Sequence, residues 1–125
     1  MKLTALATLA ALAVYFWTIT NAALARGKYK VKAPSMDGPP AFQSVMRVQA
    51  NTLEALPLLL APLWMCAIFL GDQWAAAGGA LWCAGRIVYA RAYYQDPSKR
   101  GLGFGLGMTA SALLIVGTCI GLLLH

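Results

Sequence analysis

The chain has 125 residues, 60% of them hydrophobic and 11% charged, and its mean hydropathy is +0.64. Such a composition excludes an ordinary soluble domain and leaves almost nothing outside apolar segments. The net charge of +6 does not point to nucleic acid, because the basic residues gather in two connections between apolar runs, as membrane topology requires.

Four apolar segments follow one another: Leu3 to Ala25, Pro40 to Leu70, Gln73 to Tyr94 and Pro97 to Leu124. Each is long enough, at ~1.5 Å per helical residue, to cross a hydrocarbon layer of ~30 Å. The expectation is an all-α integral membrane protein, a single four-transmembrane-helix bundle over residues 1–125. Lys2, an apolar run and Ala23-Leu24-Ala25 also resemble a secretory leader with its cleavage site. The run exceeds the ~7–15 residues of a leader's core, and Tyr15-Phe16-Trp17 suits a lipid interface or a helix contact, so a retained anchor helix is expected.

Arg26, Lys28, Lys30 and Lys32 lie in the first connection, and Arg91, Lys99 and Arg100 in or beside the third; the second has only Asp72, and the termini only Lys2 and His125. The positive-inside rule then places connections one and three in the cytoplasm and both termini on the opposite side.

Asp37-Gly38-Pro39-Pro40 reads as a turn that starts the second helix, with Asp37 as capping candidate. From Pro40 to Leu70 that helix spans about 46 Å, so its first turns project beyond the hydrocarbon and Arg47 falls near the boundary. Gly71-Asp72 closes a tight connection. Asp96-Pro97-Ser98 repeats the arrangement before the fourth helix, with Asp96 as cap and Pro97 at the first position. Lys99 and Arg100 then oppose the helix dipole by roughly 0.3–1 kcal/mol, so something other than helix stability selects a cation there. The run Gly101-Leu102-Gly103-Phe104-Gly105-Leu106-Gly107 follows no strand and lacks a Walker ending. As a helix it carries two small-xxx-small pairs, Gly101/Gly105 and Gly103/Gly107, suited to close packing. Cys66, Cys83 and Cys119 have none of the short paired spacings of a zinc site or disulfide framework, and no metal is expected.

The informative stretch is RVQANTLE, Arg47 to Glu54. Arg47, Asn51 and Glu54 stand at i, i+4 and i+7, one stripe of a helix. Arg86, Tyr89 and Tyr93 form a second stripe on the third helix. In antiparallel neighbours, residues at one depth have numbers of constant sum, and Arg47 with Tyr93, Asn51 with Tyr89 and Glu54 with Arg86 each sum to 140. That register predicts a buried structural ion pair between Glu54 and Arg86. Charges at ~2.5–3.5 kcal/mol each in mid-span must face protein or a wet cavity. With Arg26, Gln49 and Arg100 at the same end, the cluster suits a small ligand with several carboxylates.

Arg47-x-Gln49-x-Asn51-x-x-Glu54, the preceding Gly38-Pro39-Pro40 turn, and Arg86-xx-Tyr89-xxx-Tyr93 followed by Arg100 resemble the MAPEG family, membrane-associated proteins of eicosanoid and glutathione metabolism, in the branch of leukotriene C synthase and the microsomal glutathione transferases. The resemblance implies a homotrimer of four-helix subunits with glutathione as co-substrate, bound between neighbours near the cytoplasmic face. It implies glutathione contacts from Arg26, Arg47, Gln49, Asn51, Glu54, Tyr89 and Tyr93, and Arg100 as the catalytic residue that activates the thiol. Ala55 stands where several relatives carry tyrosine, which implies that one glutathione contact is missing or replaced. The partners implied are glutathione, a hydrophobic electrophile or lipid hydroperoxide, and membrane lipid.

The residue types agree with that chemistry. Arginines and a carboxylate can orient a ligand bearing two carboxylates and an ammonium. Because a guanidinium stays protonated, Arg100 can stabilise a thiolate but cannot accept its proton. The expected activity is glutathione transfer to apolar electrophiles, with glutathione-dependent reduction of lipid hydroperoxides beside it. Two other classes compete: a non-catalytic lipid-presenting protein of the same family, and a small transporter using Glu54 as a proton-coupled site.

Overall fold

A computed structural model describes residues 1–125 as four long helices joined by short connections: α1 Lys2–Tyr29, α2 Pro40–Phe69, α3 Asp72–Gln95 and α4 Gly101–Leu124, with a 3-10 turn at Pro97–Lys99. They run up, down, up, down. Thr8 meets Trp64 and Ala25 meets Phe42 across α1 and α2, while Asn51 meets Arg86 across α2 and α3. The central pair, α2 and α3, each packs on all the other helices, and α1 and α4 are the flanks.

Local chemistry sets the boundaries. α1 ends where Lys30 adopts the left-handed conformation (φ 55°). Gly71, at φ 151°, makes the turn between α2 and α3 in a region where side chains are strained. Asp37 does not cap α2: Pro39 is the N-cap residue, and no side chain bonds the first amides. With Pro39 and Pro40 at the start, two of the four N–H groups that a helix start leaves unpaired are already absent. Asp96 does cap, but it caps the 3-10 turn, accepting from the Ser98 amide at 3.0 Å, and Arg100 is the residue that opens α4. The N-terminus of α1 is served from another helix: Asp72 accepts from the Leu3 amide (3.1 Å), the Thr4 amide (2.8 Å) and the Thr4 hydroxyl (2.6 Å).

The core lies between α2 and α3 and is filled by Leu56, Leu59, Leu63 and Trp82 with alanines from every helix. Glycines bring backbones together on the α3–α4 seam. A Cβ on Gly103 would strike the backbone of Tyr89, and one on Gly85 would lie 2.7 Å from the amide nitrogen of Gly107. Of the two small-xxx-small pairs, only Gly103/Gly107 is used this way; Gly101 and Gly105 face open space.

Three helices are long and apolar enough to cross a membrane: α1, α2 and the Pro97–Leu124 stretch. The third segment forms a helix of 24 residues, but Asp72, Gln73, Arg86, Arg91 and its glycines lower its apolar content below that of the others. α3 tolerates this because it is packed by three neighbours. The outer surfaces of α1 and α4 are apolar, with Leu9, Phe16, Leu102 and Leu123 exposed, as a lipid-facing surface requires. The chain is a multi-pass membrane protein.

Candidate functional site

At the end of the bundle that holds the two longer connections, α2, α3 and α4 splay around a hollow of about 500 Å³. Arg47 and Asn51 come from α2, Tyr89 and Tyr93 from α3, Arg100 and Phe104 from α4. The helical repeat explains each pair, since residues four apart sit one above the other on a face. A second hollow of about 500 Å³ adjoins it across Arg47 and Tyr93, bordered by Met36, Gln43 and Ser44.

The walls are fixed by ring contacts and the floor by an arginine. Tyr89 meets Tyr93 edge to face at 5.6 Å and the tilted ring of Phe104 at 6.2 Å. The Arg100 guanidinium stands 5.8 Å from the Tyr93 ring centre and donates to the Pro97 carbonyl at 2.7 Å. Below them Arg86, only 3% exposed, donates to Asn51 Oδ1 (3.0 Å) and Thr52 Oγ1 (2.9 Å), and its guanidinium carbon lies 4.2 Å from the Tyr89 ring centre. Its Nε is buried without a partner. Arg86 thus holds two lining residues, Asn51 by a hydrogen bond and Tyr89 by a cation–π contact.

The expected ion pair between Glu54 and Arg86 does not form. Glu54 pairs instead with Arg47 on its own helix, at 3.5 Å, with both side chains more than half exposed. The reason is rotation. At ~100° per residue, Glu54 lies some 200° around α2 from Thr52, and Thr52, Leu56, Leu59 and Leu63 are the buried stripe.

Of the residues singled out from sequence, Arg47, Asn51, Tyr89, Tyr93 and Arg100 share one hollow, and Glu54 reaches its edge through Arg47. Arg26 and Gln49 do not enter it. Arg26 donates to the Ser35 carbonyl (2.8 Å) and stacks on Phe42 at 5.6 Å. Gln49 donates to the Tyr15 hydroxyl at 3.0 Å, toward α1. Phe104 was overlooked, although its place four residues after Arg100 was the available signal. Ala55, half-buried, packs at the edge of the main core.

No carboxylate lines the hollow, whereas two guanidiniums, two phenols and an amide do. Such a set accepts an anionic ligand with hydrogen-bonding capacity. Arg100 at the start of α4 adds its charge to the positive end of the helix, so any acid held there is favoured in its ionised form.

Fold and hollow together define a multi-pass helical membrane protein with a cationic hollow at one end. Residues 4–120 match the MAPEG family, and the chain belongs to it. It is 44% identical over 121 residues to an uncharacterised protein of Synechocystis sp., spanning 97% of this chain and 85% of that one. It is 35% identical over 98 residues to microsomal glutathione S-transferase 2 of Homo sapiens, spanning 78% of this chain and 67% of the relative. To leukotriene C4 synthase of Mus musculus it is 35% identical over 101 residues, 81% of this chain and 67% of the relative. The family resemblance read from the motifs is borne out.

Proposed function

We propose that the protein is a membrane-bound glutathione transferase, using Arg100 to hold glutathione as its thiolate for attack on hydrophobic electrophiles that arrive through the bilayer. The observation that carries this reading is the convergence of Arg47 and Arg100 with Tyr93 on one hollow at the end of the membrane helices. A volume of about 500 Å³ is in the range of small-molecule sites. Family relatives named for glutathione transfer and leukotriene C4 synthesis support the substrate class.

In this reading Arg47 and Asn51 bind the polar ends of glutathione, Glu54 orients Arg47 and is available to the ammonium, and Tyr89 and Tyr93 donate from their hydroxyls. Arg100 stabilises the thiolate while water takes the proton. Sulfur then attacks the electrophilic carbon, forming the C–S bond, and the electron pair of the broken bond departs with the leaving group or, where that group stays attached, forms an anion that takes a proton from water. With a lipid hydroperoxide the thiolate cleaves the O–O bond to give the alcohol, and a second glutathione yields the disulfide and water.

Arg26 and Gln49 face away from the hollow, and a neighbouring copy of the chain supplies them in a homotrimer whose sites lie between subunits. α3 crosses the membrane with the others, since it matches them in length and runs antiparallel to α2 and α4. The basic connections lie in the cytoplasm and both termini opposite.

Conjugation of glutathione to an aryl halide by purified protein tests the activity. Glutathione binding or lipid binding without turnover would instead indicate a lipid-presenting member of the family. Co-assembly of Arg26→Ala and Arg100→Ala chains tests the sharing. Mixed assemblies regain activity that neither variant shows alone if each site draws on two subunits, and regain none if it does not.

A further inference from the structure

The largest hollow of the molecule, about 770 Å³, is not the one described above. It runs between α1 and α3 on the other side of α3, where Arg91 lies about 200° around the helix from Tyr89. Trp17, Asn21, Leu24 and Lys28 line it from α1, and Arg91 and Tyr94 from α3. Its floor is built: Trp17 meets Tyr94 edge to face at 6.3 Å, and Asn21 Nδ2 donates to the Tyr94 hydroxyl at 3.2 Å. Its rim is cationic and unanswered. Neither Lys28 nor Arg91 has a carboxylate partner, the one ion pair of the chain being Arg47 with Glu54, and no acidic residue lines the groove.

The arrangement is graded along the membrane normal. Lys28 stands in the last turn of α1, whereas Trp17 lies eleven residues earlier, about 16 Å deeper. Leu24, 67% exposed, lies between them. Lys28 therefore sits at headgroup level, while Arg91, three residues before the Tyr94 that meets Asn21, starts deeper on the parallel α3 and has the side-chain length to snorkel toward it beside the aromatic and aliphatic slot. A free anion would need only the rim; an amphiphile with an anionic head and an acyl chain fits both parts.

We propose that the α1–α3 groove binds one phospholipid with an anionic headgroup, its phosphate between Lys28 and Arg91 and one acyl chain along Leu24 toward Trp17. The site is independent of the glutathione reading, because no residue of the hollow lines it. It would make the chain select anionic lipid from a mixed bilayer.

The experiment reconstitutes the full chain in phosphatidylcholine vesicles with increasing phosphatidylglycerol and follows saturable lipid binding by native mass spectrometry after extraction. One tightly held phosphatidylglycerol per chain is expected, with affinity falling roughly tenfold in Lys28→Gln/Arg91→Gln. Lys30→Gln/Lys32→Gln, which removes the same charge from the neighbouring connection, should retain the wild-type affinity. Equal loss in both pairs, or no preference for phosphatidylglycerol over phosphatidylcholine, overturns the proposal. So does displacement by soluble glycerophosphate at comparable concentration, which would mark a free-phosphate site. A second measurement needs no charge variant. Brominated phosphatidylglycerol should quench tryptophan fluorescence more than brominated phosphatidylcholine at the same mole fraction, and the excess should vanish in Trp17→Phe. Equal quenching by the two lipids counts against the site.

Discussion

The two ends of the bundle treat charge in opposite ways. At the end holding the chain termini and the α2–α3 turn, Asp72 spends its carboxylate on the first amides and a hydroxyl of α1, so the charge is answered within the protein. At the other end Arg47, Arg100, Lys28 and Arg91 border open hollows, and the nearest carboxylate, Glu54, meets only Arg47 at 3.5 Å. A charge fully bonded to its own chain fixes geometry; a charge with spare donors over a cavity is available to a ligand. The comparison explains why one acidic residue suffices at the first end while the second gathers most of the cations.

Removing a ligand-directed charge should alter chemistry more than folding, and Arg100→Ala is the strongest case. Turnover should fall about 10²–10³-fold, as for loss of a preorganised donor to a developing anion, while glutathione affinity changes much less. The residual rate should rise with pH as the thiol ionises without help. Near-wild-type turnover would remove Arg100 from the thiolate role.

The glycine seam separates packing from chemistry. Gly103→Ala places a methyl against the backbone of Tyr89 and 2.8 Å from the Gly85 carbonyl oxygen, so it should cost about 1–3 kcal/mol. Gly105→Ala, facing open space, should leave the thermal midpoint unchanged or raised. Equal effects would mean that α4 is rotated from the position described.

Arg86 tests the boundary between the two kinds of charge, since it is buried yet supports the hollow. Arg86→Ala leaves Asn51 and Thr52 without their donor, a loss of about 1–3 kcal/mol. Arg86→Met fills the space and should recover much of that stability. Glutathione affinity should remain weakened in both variants, because Asn51 and Tyr89 lose their anchor. Recovery of affinity together with stability would make Arg86 a packing residue only.

At the structural charges the effects are smaller. Asp72→Ala removes three hydrogen bonds from the start of α1 and should lower the thermal midpoint without changing turnover at saturating substrate. The Ser98 amide holds the Asp96 carboxyl below the ordinary carboxylate range. Its contribution is therefore present above the unfolded value of about 3.9 and is lost as pH falls through the depressed folded value. Acid titration of the thermal midpoint should show a shallower loss in Asp96→Asn than in the wild type.

Much of the site was legible in the chain because helical spacing is a local property. The four-residue steps that align Arg47 with Asn51 and Tyr89 with Tyr93 depend only on the repeat, and short connections make consecutive helices antiparallel neighbours. Glu54 with Arg86 failed for a different reason. Counting residues gives depth along a helix, but a pair also needs both side chains to point across the same contact, and the rotation of α2 is chosen by burying Thr52, Leu56, Leu59 and Leu63. Gln49 misses the hollow for the same reason: two positions from Arg47, it turns to Tyr15 of α1.

The amino-acid order by itself determined the four helices, the glycine and proline breaks between them, and the collection of cations at one end, since each rests on propensity, periodicity or composition within a short window. Only the tertiary structure decided which face of each helix is buried. That choice gave Arg86 to Asn51 and Thr52, left Glu54 outside with Arg47, and picked Gly103 and Gly107 over Gly101 and Gly105 as the seam. Rotation about a helix axis costs nothing locally and is settled only when side chains from distant parts of the chain pack together.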